Sequence, residues 1–252
     1  MIIDHPIELN IPALVALWRE AFGDSEEFID GFMRTAFSTD RSLAVFADGA
    51  PIAALYWFDM TCGEEKLAYL YAIATKKEFR GRGICTELIE HTHALLKSRG
   101  YAEAILVPCE PSLYSFYEKL GYKCFGGISE TRAVASGAPI RVTKMTPAEY
   151  AQKRRELLPE NSVTEEGVCL DYLALDADFF AGEDFILAAR GKDGELFGIE
   201  LLGNRSELGG ILTSLGYARG RFRTPGTERR FAMRFPLVKG APVPKYFGLA
   251  FD

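Results

Sequence analysis

The sequence predicts an α+β fold on a mixed α/β sheet, in two units over residues 1–138 and 139–252. Three observations lead there. Apolar residues recur at helical spacing early in the chain and then give way to short strand-like runs around Asp48-Gly49. An apolar strand runs directly into a glycine- and arginine-rich turn, residues 73–85, that opens an amphipathic helix. From Pro139 a shorter version of the same element order begins again.

Leu14, Leu17, Trp18, Ala21 and Phe22 share one helical face, and Gly23 ends that helix. Asp24 and Ser25 can cap the next helix, whose stripe is Phe28, Ile29, Phe32, Met33 and Phe37. Residues 42–47 and 50–58 form a hairpin, and 66–75 a further tyrosine-bearing strand. The helix from Ile84 carries Cys85, Leu88, Ile89, Thr92, Leu95 and Leu96 on one face and closes at Gly100. Ala104 to Val107 reads as a short buried strand. Leu113, Phe116, Tyr117 and Leu120 then share a helical face that Gly121 terminates.

In the second half IRVTKM reads as a strand, either the first of a new unit or the last of the first sheet. TPAEYAQKRRELL reads as a helix, with Thr146 as N-cap, Pro147 in the first turn and Glu149 at the capping-box position. Residues 171–180 suggest a second short helix. Phe185–Ala189 and Leu196–Leu202 form a hairpin around Lys192-Asp193-Gly194. A short helix ends in Leu215-Gly216-Tyr217, like Leu120-Gly121-Tyr122 before it, and Phe231–Pro236 reads as a closing strand. Matched in this way, the second half lacks one strand, the glycine-rich turn and the long helix. An unrelated α+β domain is the alternative reading.

The turn has a distinct chemistry. The first four N–H groups of a helix lack partners, and the helix dipole places positive potential there. Gly81 and Gly83 permit close approach and φ > 0, while Arg80 and Arg82 add charge. These features suit a pyrophosphate or similar anion. No G-x-x-x-x-G-K-[ST] occurs, and the position where a G-x-G-x-x-G fingerprint needs its third glycine is Thr86. The plainer reading is a β-turn-helix connection with two surface arginines.

The spacing Arg80-x-x-Gly83-x-Cys85 resembles the R/Q-x-x-G-x-G/A signature of the GNAT superfamily of N-acetyltransferases, with Cys85 in place of the last small residue. Residues 112–125, SLYSFYEKLGYKCF, resemble that family's F-Y-E-K-L-G-F/Y block, in the expected order. The doubled pattern, and FGDS near residue 22, resemble tandem acetyltransferases of the enhanced-intracellular-survival type.

The resemblance implies acetyl-CoA as cosubstrate, with its diphosphate on the amides of Arg80, Gly81, Arg82, Gly83, Ile84, Cys85 and Thr86. It implies that Ile73, Ala74 and Thr75 offer backbone groups to the pantetheine arm and the acetyl carbonyl. Tyr117 matches the tyrosine that such enzymes place beside the CoA sulfur, and packing beside Leu113 and Leu120 is its structural alternative. Many members carry Asn where this chain has Glu110. An acceptor pocket between the first two helices and the later strands would involve Phe28, Tyr56 and Tyr69, with Phe32, Trp57 and Tyr71 nearby; all are also plausible core.

The expected reaction is direct attack of a primary amine, on a small molecule or a lysine, upon the thioester. An amine of pKa ~10.4 is about one part in a thousand neutral near pH 7.4, a handicap of about 4 kcal/mol. A carboxylate acting through water could offset it, with Asp59, Glu64, Glu65 and Glu110 as candidates. Rival readings are transfer of another acyl group or to an oxygen acceptor, and a CoA-binding module without catalysis. The C-terminal half is expected to shape the cleft, to serve homo-oligomer contacts, or both.

A formal charge of −6 and a pI near 5.3 argue against nucleic acid or an anionic membrane as main partner. No apolar run reaches a membrane span and no leader pattern is visible, so the expected location is cytoplasmic. Cys62, Cys85, Cys109, Cys124 and Cys169 contain no C-x-x-C and read as free thiols, with Cys109 and Cys124 buried and structural. His91 and His93 lie two apart on a helix, point apart, and read as surface residues; no metal is expected.

Overall fold

Every strand of the protein joins one mixed sheet of twelve, in a computed structural model that describes residues 1–251. In chain order the elements are β1 (Ile2–Asp4), α1 (Ile11–Phe22), α2 (Glu26–Thr35), β2 (Ser42–Ala47), β3 (Ala50–Cys62), β4 (Glu65–Thr75), α3 (Ile84–Ser98), β5 (Glu103–Leu106), α4 (Pro111–Lys119) and β6 (Lys123–Val134). There follow β7 (Thr143–Met145), α5 (Pro147–Leu157), α6 (Val168–Leu173), β8 (Asp178–Ala181), β9 (Phe185–Lys192), β10 (Glu195–Gly203), α7 (Leu208–Leu215), β11 (Arg219–Pro225) and β12 (Arg229–Pro236).

Local chemistry explains the main boundaries. Gly23 takes φ 73° and donates to Arg19, ending α1, and the Ser25 hydroxyl accepts from the Phe28 amide at 3.2 Å, starting α2. Asp24 is not a cap: it accepts the Trp18 indole N–H at 2.8 Å. Both hairpin turns hold two consecutive positive φ angles, Asp48-Gly49 and Asp193-Gly194, as a two-residue turn of this twist requires. Thr146 and Glu149 form the reciprocal capping box at the start of α5.

The sheet order is β1-β2-β3-β4-β5-β12-β6-β11-β10-β9-β8-β7. The closing strand of the second half therefore lies between two strands of the first, antiparallel to both β5 and β6. A buried pair marks that insertion: Arg234 on β12 donates from Nε to Glu103 on β5 at 2.9 Å. Helices α1, α2, α5 and α6 share one core, α3 and α4 pack in a second, and α7 covers a third on the far half of the sheet.

Pairing also revises how the halves correspond. Among the described strands only β4–β5 and β10–β11 are parallel pairs, and each is joined through a helix, α3 or α7. Helix α7 thus holds the place of α3, and the element without a counterpart in the second half is α4, not the strand and long helix of the sequence reading. The connection into α7 is Asn204–Glu207, with no glycine-rich turn. The helix expected over 171–180 is the shorter α6, and Asp178–Ala181 is a strand, because β8 is paired on both sides by β7 and β9. Strand β11 was not expected. Its RGRFRTP alternates arginine with small or apolar residues that face α7 and β10, so charge hid a central strand.

A cleft between two diverging strands

Strands β4 and β5 pair only from Leu67–Tyr69 to Glu103–Ile105 and then separate. The separation follows from β4 itself. Between Tyr71 and Ala74 its register against β3 shifts, and Ala72 sits at φ 48°, left-handed for a residue with a Cβ. A bulge of this kind bends the strand and re-aims the groups beside it. The opening is a cleft of about 650 Å³. Ile73, Ala74 and Thr75 line one wall, with Leu106, Val107, Cys109 and Glu110 opposite.

At one end stand Arg80 and Cys85. Gly81 and Gly83 take φ 76° and 79°, and a Cβ on either would meet nothing within 4 Å. No side chain caps α3 at Gly83. Glu87 donates to the Gly83 carbonyl at 3.0 Å, so the helix amides before it, Ile84 to Thr86, have no acceptor inside the helix. Arg80 turns back, its Nε donating to the Thr75 carbonyl at 2.9 Å, which fastens the turn to the end of β4. Arg82 lies over the Phe79 ring. An uncapped helix start beside an open cleft is a fitting seat for a diphosphate.

Midway, α4 presents Leu113, Phe116 and Tyr117 to the cleft. Tyr117 is buried, and its hydroxyl has no hydrogen-bond partner among the described residues. Burial first, and then the Cys85 and Cys109 thiols, raise its pKa above the ordinary phenol value, so it stays protonated. Burial pushes the Cys85 thiol up to about 11. Cys109 is exposed at the cleft, not buried as the sequence suggested, because β5 ends at Leu106 before reaching it.

Of the four carboxylates considered from sequence, Glu110 alone lines the cleft. Glu64 and Glu65 sit exposed at the β3–β4 turn. Asp59 accepts from Tyr101 and faces Arg41 and Lys66 at 3.6 and 3.8 Å. Sequence reasoning missed Asp24, which lines both this cleft and an adjoining pocket of about 280 Å³.

That second pocket joins the halves. Phe28 and Tyr71 come from the first; Tyr172, Asp176 and Arg190 come from the second. Phe251 lines both cavities, its amide donating to the Tyr69 hydroxyl at 3.4 Å. Tyr69 reaches the cleft, whereas Tyr56 lies behind its wall between Trp18 and Phe32, at ring distances of 5.6 and 5.0 Å. Trp57 faces the opposite side, donating to Tyr101. His93 is also not where the sequence put it. It is buried, bonded to the Tyr122 hydroxyl at 2.7 Å and stacked on Phe235 of β12. Only His91 is exposed. Among the described residues no three of His, Cys, Asp and Glu gather as a metal-holding group. Among the described residues no helix is long and apolar enough to cross a membrane.

A parallel-strand opening that leads to an uncapped helix start forms a cleft suited to an extended ligand that ends in an anionic group. The comparisons agree with this form: residues 6–125 match the family model described as an acetyltransferase (GNAT) domain. N-alpha-acetyltransferase 30 of Schizosaccharomyces pombe is 37% identical over 67 residues, 25% of this chain and 44% of that protein, so the match spans less than half of the relative's length. Across both halves the fold is similar to that of Eis1 from Mycobacterium abscessus, with TM-score 0.66 and 15% identity over 94% of this chain and 74% of that one. It is likewise similar to a putative acetyltransferase from Pyrococcus horikoshii, with TM-score 0.66 and 16% identity over 98% and 93%. A GCN5-related N-acetyltransferase from Kribbella flavida gives TM-score 0.69 at 14% identity over 94% and 72%.

Proposed function

We propose that the protein transfers acetyl from acetyl-CoA to a primary amine, on a small molecule or a lysine side chain, by direct attack. The observation that carries this reading is the uncapped start of α3 at the end of the opened β4–β5 cleft. The diphosphate would rest on the amides from Gly81 to Thr86, and the pantetheine arm would run between β4 and β5. A backbone N–H of Ile73–Thr75, re-aimed by the Ala72 bulge, would stabilise the oxyanion formed as the amine attacks.

Tyr117 is the group for the leaving thiolate. An ordinary phenol is already a weaker acid than a thiol, by about 2 kcal/mol. Burial of Tyr117 widens that gap. Its role is therefore to donate a hydrogen bond to the thiolate without surrendering the proton. The acceptor would enter through the smaller pocket, where aromatic walls and the Asp24 carboxylate suit a cationic amine, Asp176 being paired with Arg190 at 2.5 Å. Asp24, shared by both cavities, is placed to take the amine proton through water. The C-terminal half shapes this pocket directly.

Thiol release from acetyl-CoA across an amine panel tests the proposal. Turnover by the unaltered protein is expected. Tyr117→Phe should lose at least tenfold in kcat with acetyl-CoA affinity kept. Binding without turnover on any amine would leave a CoA-binding module, and unchanged turnover in Tyr117→Phe would return Tyr117 to the core.

A further inference from the structure

Beneath the acceptor pocket lies a charged cluster that touches neither cavity. Arg154 of α5 and the carboxyl groups of Glu165 and Glu200 are all buried. Arg154 donates to Glu200 of β10 from Nε at 2.6 Å and from Nη2 at 2.9 Å, pairs with Glu165, and reaches the Val163 carbonyl at 3.3 Å. The Tyr150 hydroxyl donates to Glu200 at 2.9 Å. Carrying buried charge is costly, and such a cluster is weak evidence for stability as such. Something else must account for its place.

The segment after β12 lies against it. Residues 245–251 have almost no regular structure, yet they include Phe247, Leu249 and Ala250, which are buried. Lys245 donates to the Asn161 carbonyl and Val163 donates to the Tyr246 carbonyl, each at 2.8 Å. Thr164 in turn exchanges backbone bonds with Thr61 at the end of β3. Gly248 sits on the cluster itself: a Cβ there would fall 2.2 Å from Glu200 Oε1 and 2.1 Å from the Tyr246 hydroxyl. Three residues further on, Phe251 packs on Phe58, Tyr71 and Tyr172, at ring distances of 4.9, 5.2 and 4.9 Å, and forms the partition between the two cavities.

We propose that Arg154, Glu165 and Glu200 are positioning residues for acetyl transfer: they seat residues 245–251 and so fix the Phe251 partition that sizes the acceptor pocket. This rests on the acceptor reading given above, so one arm of its test is independent of turnover.

Gly248→Ala and Glu200→Gln lift the segment from its seat without altering a cavity wall. Amide hydrogen exchange across 245–251 should quicken at least tenfold in both. The acceptor KM should rise about tenfold, while kcat at saturating acceptor and acetyl-CoA affinity stay within about twofold. A folded variant with lowered melting temperature but unchanged exchange and KM would overturn the proposal. If no amine is acetylated by the unaltered protein, the exchange arm alone decides the seat, and the catalytic reading fails separately.

Should both variants misfold, Glu165→Gln serves. Burial pushes the Glu165 carboxyl up to about 8, against the pull of Arg154. Besides Arg154, the groups facing it are Glu200 from β10, Cys169 from α6, and Tyr246 and the Leu249 amide from the segment. Ionising it would leave the cluster with an unmatched negative charge. Exchange across 245–251, corrected for its intrinsic rate, should therefore quicken above pH 8 in the unaltered protein and not in Glu165→Gln. Identical profiles would refute the assignment.

Discussion

Ala72 holds φ at 48°, a conformation that costs a residue with a Cβ about 1–3 kcal/mol, and does so where β4 leaves β5. Tyr71 on one side and Ala74 on the other stay paired with Tyr56 and Ala54 of β3, so the shift is confined to the residues between them. His93 shows a second residue whose surroundings override its usual behaviour. Burial lowers its pKa to about 4, so the folded protein holds it neutral against the Tyr122 hydroxyl. Its stabilising contribution is present above the ordinary value of ~6.5 and is lost as pH falls through about 4. An NMR titration should find this imidazole protonating near pH 4. Titration of His93 near 6.5 would contradict its place under Phe235. Helical periodicity puts His93 off the α3 stripe, which is why it read as surface. What buries it is β12, a strand from the far end of the chain.

The insertion of β12 is the element on which both halves depend. Glu103 and Arg234 are 131 residues apart in sequence and meet with their side chains 1% and 11% exposed. Removing one partner strands the other as a buried charge, which costs about 3–5 kcal/mol. Glu103→Leu should lose that much in denaturant unfolding, and Glu103→Leu with Arg234→Met should recover most of it. A single variant near neutral would show that the pair does not set the strand's register. Elements specified locally were legible in the sequence: the Thr146 capping box, the two hairpin turns, Gly23 and Gly121 after their helices. Those specified by distant partners were not. RRFAMRFP reads as a strand, but nothing local says which sheet it enters. RGRFRTP looks solvated until α7 and β10 supply its apolar side.

At the scale of the molecule, the cleft is lined by the first half and Phe251, and the adjoining pocket by both halves. That the glycine-rich turn and the α4 wall carrying Tyr117 lie together was legible from motif spacing, because consecutive residues build each. The gathering of Asp24, Tyr172, Asp176 and Phe251 was not, because only the packing of α2, α6 and the segment after β12 brings them together. The seat of Phe251 on Arg154, Glu165 and Glu200 extends the same dependence further from the chemistry. The most direct measurement is a calorimetric titration with acetyl-CoA of the unaltered protein and of Gly83→Val. Valine cannot comfortably hold the φ of 79° that aims the turn's amides. The unaltered protein should bind, and the folded variant, checked by circular dichroism, should lose at least tenfold in affinity. No binding by the unaltered protein, or normal affinity in the variant, would contradict a diphosphate seat at the start of α3.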